Sequence, residues 1–390
     1  MSDIFYDPYS PLLHRDPYPV YRRLRDEAPV FRNEEHDFYA ITRHADVWAA
    51  FQDWGRLSSA EGITLEGLPP DIHPELITMD PPRHGELRDI VKRAFRTNHM
   101  ARLFERVREI AGELVDALDP AACDLARDLS IPMPAIAIAE LLGVPRADVP
   151  KFRLWSEHLV QRDLNNPPTI DRARRASQEL HEFLVWHIAA QRADPKDDML
   201  GLLVRARDEG QAMNDEELVG FARLLLVAGN ETTGQLVGNM IVALAHNPGQ
   251  RAEVAADPAL AARAVEETLR YDSAVQALAR TTLVDYPVQD VIVPAGSRLL
   301  IVIGSANRDE RMFTDPDRFD IHRDPATLSR HIGFGRGIHF CLGAMLARAE
   351  GEASLQALLA RFPNYRLACD EVPMVASGQV RGPTALPLAA

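Results

Sequence analysis

The stretch from Asp215 to Asn247 constrains this chain most, because a sequence that holds 28 prolines has none there. Asn214 can cap a helix whose first turn is Asp215-Glu216-Glu217, and nothing breaks that helix before Pro248. The result is a largely apolar helix of about thirty residues, long enough to cross the whole core of a globular protein.

Around this axis the pattern is mainly helical. Apolar periodicity predicts helices over residues 17–27, 46–53, 84–95, 100–118, 129–142, 172–192 and 258–271. Short strand-like runs at 30–32 and 38–41 predict a small sheet near the N-terminus. Further strands are expected at 283–284, 291–293 and 299–303, around the turn Pro294-Ala295-Gly296. The fold class expected is therefore mainly α with small β-sheets. The length of 390 residues would allow two or three domains, but no linker, repeat or low-complexity run marks a division, so one large domain over residues 1–390 is expected.

A formal charge of −14 and a pI near 5.4 argue against nucleic acid or an anionic membrane as the main partner. Cys123, Cys341 and Cys369 include no Cys-x-x-Cys pair, so neither a disulfide framework nor a zinc site is indicated. The first residues lack the basic start and apolar centre of a signal peptide, and the apolar stretches at 131–144 and 221–227 fall short of a span. These features predict a soluble, cytoplasmic protein.

The densest chemistry lies in Phe334-Gly-Arg-Gly-Ile-His-Phe-Cys-Leu-Gly343. One cysteine stands among small residues just before a helical pattern that starts at Leu342. Gly335, Gly337 and Gly343 let the backbone approach a flat ligand closely, and the amides and dipole at the helix start favour an anionic sulfur. The simpler alternative for Cys341 is a buried structural thiol.

Phe334, Gly337, His339, Cys341 and Gly343, at these offsets, closely resemble the haem-ligand signature of the cytochromes P450. The order of elements resembles that fold too, from about residue 16 to the tail ending at Pro387. The resemblance implies that Cys341 is the thiolate ligand of haem b iron, which pushes electron density onto the metal and favours O–O cleavage.

Ala228-Gly-Asn-Glu-Thr-Thr233 sits midway along the long helix, where glycine and two β-branched residues are poor helix formers. A threonine hydroxyl that turns to a backbone carbonyl can open a helix locally, whereas Glu231 taken alone could be a surface carboxylate. The match to the family's Gly-x-Asp/Glu-Thr pattern implies that Glu231 and Thr232 are the acid–alcohol pair. Cleaving dioxygen needs two protons at its outer oxygen, and such a pair can supply them.

Glu267 and Arg270 are spaced for a simple surface ion pair. They also match the family's Glu-x-x-Arg motif, and Arg318 of Pro316-Asp-Arg-Phe319 is expected to complete a buried network with them. Asp80-Pro-Pro-Arg-His-x-x-x-Arg88 resembles the segment that clamps haem propionates. His84, Arg88, Arg280 and His339 are accordingly expected as propionate donors, since charge-assisted hydrogen bonds are the strong ones. The other histidines have no metal-ligand spacing, and the Arg172, Arg174, Arg175 cluster is simplest as a solvated helix face.

No glycine-rich nucleotide fingerprint follows a strand, so electrons must come from another protein, and an acidic ferredoxin or flavodoxin with its reductase is expected. Lys92, Arg93, Arg96, Arg336 and Arg348 could form a basic spot for it near Cys341. By the resemblance, residues 60–68, 224–232, 273–279 and 377–386 line the substrate site. Ile63, Leu65, Leu68, Leu225, Val275, Leu278 and Val380 there suggest a small, mostly apolar organic ligand, oriented by Gln276 or Gln379. The expected function is a monooxygenase. The alternatives are a peroxide-driven peroxygenase, which would not need Glu231 and Thr232, and a haem protein that only binds or senses a ligand.

Overall fold

The computed structural model describes residues 4–68, 75–94, 98–196, 198–208 and 213–389. The long helix is present as Asp215–His246. Its start is held by a reciprocal cap: Asn214 Oδ1 accepts from Glu217 N–H (2.9 Å) and Glu217 Oε2 accepts from Asn214 N–H (2.8 Å). From Thr233 to Ile241 every residue is buried, so no single stripe faces solvent and the second half of the helix is core on all sides. Gly238 is needed for this fit, because a Cβ there would lie 2.6 Å from Pro383 Cγ of the C-terminal tail.

The helices at Pro132–Leu141, Val149–Val160 and Pro167–Ala193 pack on one side of this axis, and Ala261–Tyr271 and Ala344–Arg361 on the other. The helix expected at 129–142 begins as a wide five-residue turn, Ala126–Ser130, and becomes α-helical only at Pro132. A proline suits the first turn, where its missing N–H is no loss. The helix expected at 46–53 is found at His44–Ala50, and Arg83–Ala94 and Asn98–Asp116 match their expected places closely.

Seven strands are present among the described residues: β1 (Val30–Asn33), β2 (Phe38–Ile41), β3 (Leu57–Ser58), β4 (Ala277–Thr282), β5 (Tyr286–Val288), β6 (Val291–Val293) and β7 (Arg298–Val302). The first two do not make a separate N-terminal sheet. They join a five-stranded sheet of order β1-β2-β7-β4-β3, in which β2 runs parallel to β7 with Tyr39 opposite Leu299. Residues 283–284, expected as strand, form an exposed bend; the strand is β4 just before them, where five of six residues are buried. Strand pairing follows burial, and a solvent-facing Leu283-Val284 has no partner face to cover. The β5–β6 hairpin is a separate two-stranded sheet.

Candidate active site

The loop before Ala344–Arg361 sets Cys341 with its own hydrogen bonds. Gly335 N–H donates to Ile332 O (2.8 Å), Phe340 N–H to Gly337 O (3.1 Å) and Cys341 N–H to Phe334 O (3.0 Å). Gly337 adopts φ +71°, and a Cβ there would collide with the carbonyl of Phe51, so only glycine fits. The helix starts three residues beyond the cysteine, later than expected, with Gly343 as its cap. Burial pushes the Cys341 thiol up, and the Gly343 N–H, Arg88 and Arg348 pull it down without prevailing. A metal cation coordinated there would deprotonate the thiol outright.

Cys341 lies on the wall of a cavity of about 500 Å³, with Arg88, Arg280 and His339 beside it and Val227, Ala228 and Thr232 of the long helix also on its wall. Arg280 projects from β4, is 4% exposed, and has its guanidinium 5.9 Å from the centre of the Phe51 ring. It donates only to the neighbouring Ala279 carbonyl (2.8 Å), and burial brings it down to about 10. The His84 and His339 rings lie 4.3 Å apart, tilted by 58°, with Ser59 Oγ 3.3 Å from His339 Nε2. His84 stands off the cavity wall; its Nε2 is buried without a partner. Burial and neighbouring cations hold both rings neutral, His84 at about 4 and His339 at about 3. Arg88 reaches the Phe340 carbonyl. Two arginines and an orphaned imidazole nitrogen crowded together make an anion-seeking set, which the two carboxylates of a haem would satisfy.

Thr232 and Glu231 diverge. Thr232 Oγ1 donates to Ala228 O (2.7 Å), the back-bond foreseen from the sequence, while the helix continues without interruption. Glu231 is turned away from the cavity towards Glu157 and Arg153 of the Val149–Val160 helix. Burial and the Glu157 charge raise its carboxyl to about 7.

Glu267 and Arg270 are both fully buried and bidentate, at 2.7 and 2.9 Å. The third member is Arg323, whose Nε lies 3.2 Å from Glu267, rather than Arg318. The Arg318 side chain is exposed; only its carbonyl takes part, accepting from Arg270 and Arg323 at 3.1 Å each. An arginine on a loop rim keeps its charge in water, whereas Arg323 can reach inward past three carbonyls. Asn307, which the sequence did not single out, links this network to the cysteine loop: its carbonyl accepts from Arg270 (3.0 Å) and its Oδ1 from Ile332 N–H (2.7 Å).

All four segments expected around the substrate site contribute to the cavity, through Ile63, Leu68, Leu225, Val275, Leu278, Val380 and Gln379 among others. Leu65 and Gln276 do not: Leu65 packs against the N-terminal cluster and Gln276 donates to Ser273 O (2.7 Å). The Pro167–Ala193 helix adds Ile170, Ala173 and Arg174 to the lining, and Glu75, Arg162 and Arg223 also line it; no spacing in the sequence marked these. Among the described residues no helix is long and apolar enough to cross a membrane.

Residues 164–373 match the family model described as Cytochrome P450. The chain is 39% identical to the putative cytochrome P450 123 of Mycobacterium tuberculosis, over 99% of its own length and 97% of that protein's. It is 40% identical to the vitamin D(3) 25-hydroxylase of Pseudonocardia autotrophica, with 98% and 96% covered. Its structure matches that of cytochrome P450 CYP109Q5 from Chondromyces apiculatus with a TM-score of 0.89 and 37% identity, covering 99% and 98% of the two chains.

Proposed function

The chain belongs to the cytochrome P450 family and is a monooxygenase, and on that premise we propose that it uses dioxygen and externally supplied electrons to hydroxylate or otherwise oxidise a small, mostly apolar organic substrate. The observation that carries this reading is that Cys341, Thr232, Arg280 and His339 line one cavity of about 500 Å³ whose remaining wall is largely aliphatic. The same cavity would hold both the haem and the substrate, and its aliphatic wall suits an apolar ligand.

The residues present fit a haem b group: Cys341 would hold its iron, and Arg88, Arg280 and His339, backed by His84, its propionates. When bound, that group supplies the redox chemistry that activates dioxygen. Thr232 keeps a hydroxyl on the cavity wall, its hydrogen committed to Ala228 O and its lone pairs free to accept a proton donor. Glu231, raised to about 7 and facing Glu157, would gather protons on that side, and a turn of its side chain towards the cavity would be needed to pass them to Thr232. The aliphatic wall contributed by Val227, Leu225, Leu278 and Val380 excludes water and leaves orientation to a few polar groups.

An acidic ferredoxin or flavodoxin is the proposed electron donor. Arg330 and Arg336 lie over the Trp48 ring at 4.2 and 3.6 Å, close in sequence to the cysteine loop, and keep positive charge there. Arg348 is drawn off by Glu266 (2.5 Å), and Lys92 stands 3.7 Å from Asp89. Residue 96 and the side chain of Arg93 lie outside the described residues. Reduction should slow with rising salt and in Arg336→Glu.

The absorption spectrum of the purified protein, reduced under carbon monoxide, tests the central reading. A strongly red-shifted Soret band that is lost in Cys341→Ser supports thiolate ligation by this residue. A folded, haem-supplied protein that takes up no haem would overturn it.

A further inference from the structure

One end of the cavity wall is not apolar. Arg162 and Arg223 line it near Glu75, with Glu66 close to Arg162, and Arg174 is also on the cavity wall. Arg223 lies nine residues before Thr232 on the same straight helix, which at 1.5 Å per residue puts it about 14 Å along the axis from the threonine. The charged end is therefore separated from the proposed reaction end by roughly the length of an extended lipid-like molecule.

The charges at this end are incompletely paired. Glu66 accepts the Tyr9 hydroxyl at 2.5 Å. Glu75 lies 3.1 Å from Arg223 Nε, with both side chains under 15% exposed, yet that N–H makes no aligned hydrogen bond and is an orphaned buried donor. Arg162 donates only to backbone carbonyls, Leu159 O at 3.0 Å and Gly67 O at 3.5 Å, and among the described residues no carboxylate lies within ion-pair distance of it. Arg174 has a partner in Asp171 at 3.3 Å, on the exposed side of its helix. Held in place by neutral acceptors on the wall of a largely apolar cavity, Arg162 has no carboxylate in direct contact among the described residues, and Glu75, which feels both Arg162 and Arg223, has its carboxyl raised by burial.

Resting on the haem-thiolate reading of the same cavity, we infer that the substrate is an amphipathic anion, an apolar body carrying a carboxylate or similar acid, whose charged end pairs with Arg162 and Arg223 while its far end reaches Thr232 and Cys341. A neutral acceptor such as an ester could take a hydrogen bond from either arginine but could not neutralise it. A cationic head group would be repelled by both guanidinium groups.

The test uses the haem-loaded protein and three probes of equal chain length: dodecanoate, methyl dodecanoate and dodecyltrimethylammonium. Binding is read by equilibrium dialysis and, in parallel, by the Soret change. Dodecanoate is expected to bind roughly tenfold or more tightly than its methyl ester, the gain of a charge-assisted over a neutral contact, and the ammonium probe most weakly. In Arg162→Gln the acid should lose most of that advantage while the ester's affinity stays within about twofold, and salt should weaken the acid alone. Equal affinities for acid and ester, or an acid preference that survives Arg162→Gln and Arg223→Gln separately and combined, would overturn the inference and leave the haem-thiolate reading intact. A missing thiolate-type carbon monoxide band would instead sink the haem-thiolate reading, while dialysis would still decide the anion preference.

Discussion

Exchanging Arg323 and Arg318 separately for methionine separates a buried charge from an exposed one. Arg323 is 9% exposed and its guanidinium serves Glu267 (3.2 Å) and the carbonyls of Thr314 (2.6 Å), Asp315 (3.2 Å) and Arg318 (3.1 Å). Methionine fills much of the same volume but makes none of these bonds. Glu267 keeps Arg270, so no charge is left alone, and the loss is that of a few charge-assisted hydrogen bonds, about 2–4 kcal/mol in all. That is a large share of the ~5–15 kcal/mol that holds a folded protein together. Because Arg270 reaches Ile332 through Asn307, the damage should also show as reduced haem retention. Arg318→Met removes an exposed side chain and should stay within about 0.5 kcal/mol. Urea unfolding followed by circular dichroism gives the stabilities, and Soret absorbance per mole of protein gives the haem content. The reasoning fails if the two variants lose equally, or if Arg323→Met keeps wild-type stability and full haem.

Other expectations follow from single groups. Glu350 is fully buried, its Oε2 has no partner, and burial alone raises its carboxyl well above the ordinary value. Its contribution to stability is present in acid and lost as pH climbs above the ordinary glutamate range, at up to about 1.4 kcal/mol per pH unit. Glu350→Gln should therefore flatten the alkaline decline and be the more stable form at pH 8 by chemical denaturation. Turnover should fall as pH rises through about 7, where Glu231 loses its proton, and Glu231→Gln should remove that inflection while leaving substrate binding unchanged. Thr232→Val, with similar bulk and no hydroxyl to accept and hold a proton donor at the cavity wall, should lower product formed per electron consumed, by about 100-fold or more. Gly337→Ala, forced into φ +71° against the Phe51 carbonyl, should lose at least about 1–3 kcal/mol and take up haem poorly, whereas Gly343→Ala, with open space at its Cβ, should fold normally.

Much of the site was legible in the order of residues because its parts are local. The cap at Asn214, the back-bond of Thr232 to Ala228, the Glu267–Arg270 pair and the glycine loop before Cys341 all join residues close in the chain, three or four positions apart in the helices and up to seven in the loop, where backbone geometry sets the contact. The divergence of Glu231 from Thr232 was not legible, because it depends on which neighbouring helix fills each side of the long one. Arg318 and Arg323 likewise lie in one loop, and only the way that loop folds over Glu267 sends one inward and the other to solvent.

What the sequence determined by itself is therefore most of the helices, though not Val149–Val160, Met199–Asp208 or Pro248–Ala256, together with the single cysteine poised before one of them and the acid–alcohol and ion-pair motifs on two others, since propensity, capping and short-range spacing act before any long-range contact forms. What only the tertiary structure decided is how distant segments meet: β1 and β2 joining β7, Asn307 tying the buried ion network to the cysteine loop, and Arg162 and Arg223 meeting beside Glu75 on the wall of an apolar cavity. These depend on packing between elements many residues apart, where burial and charge pairing rather than local pattern select the partner.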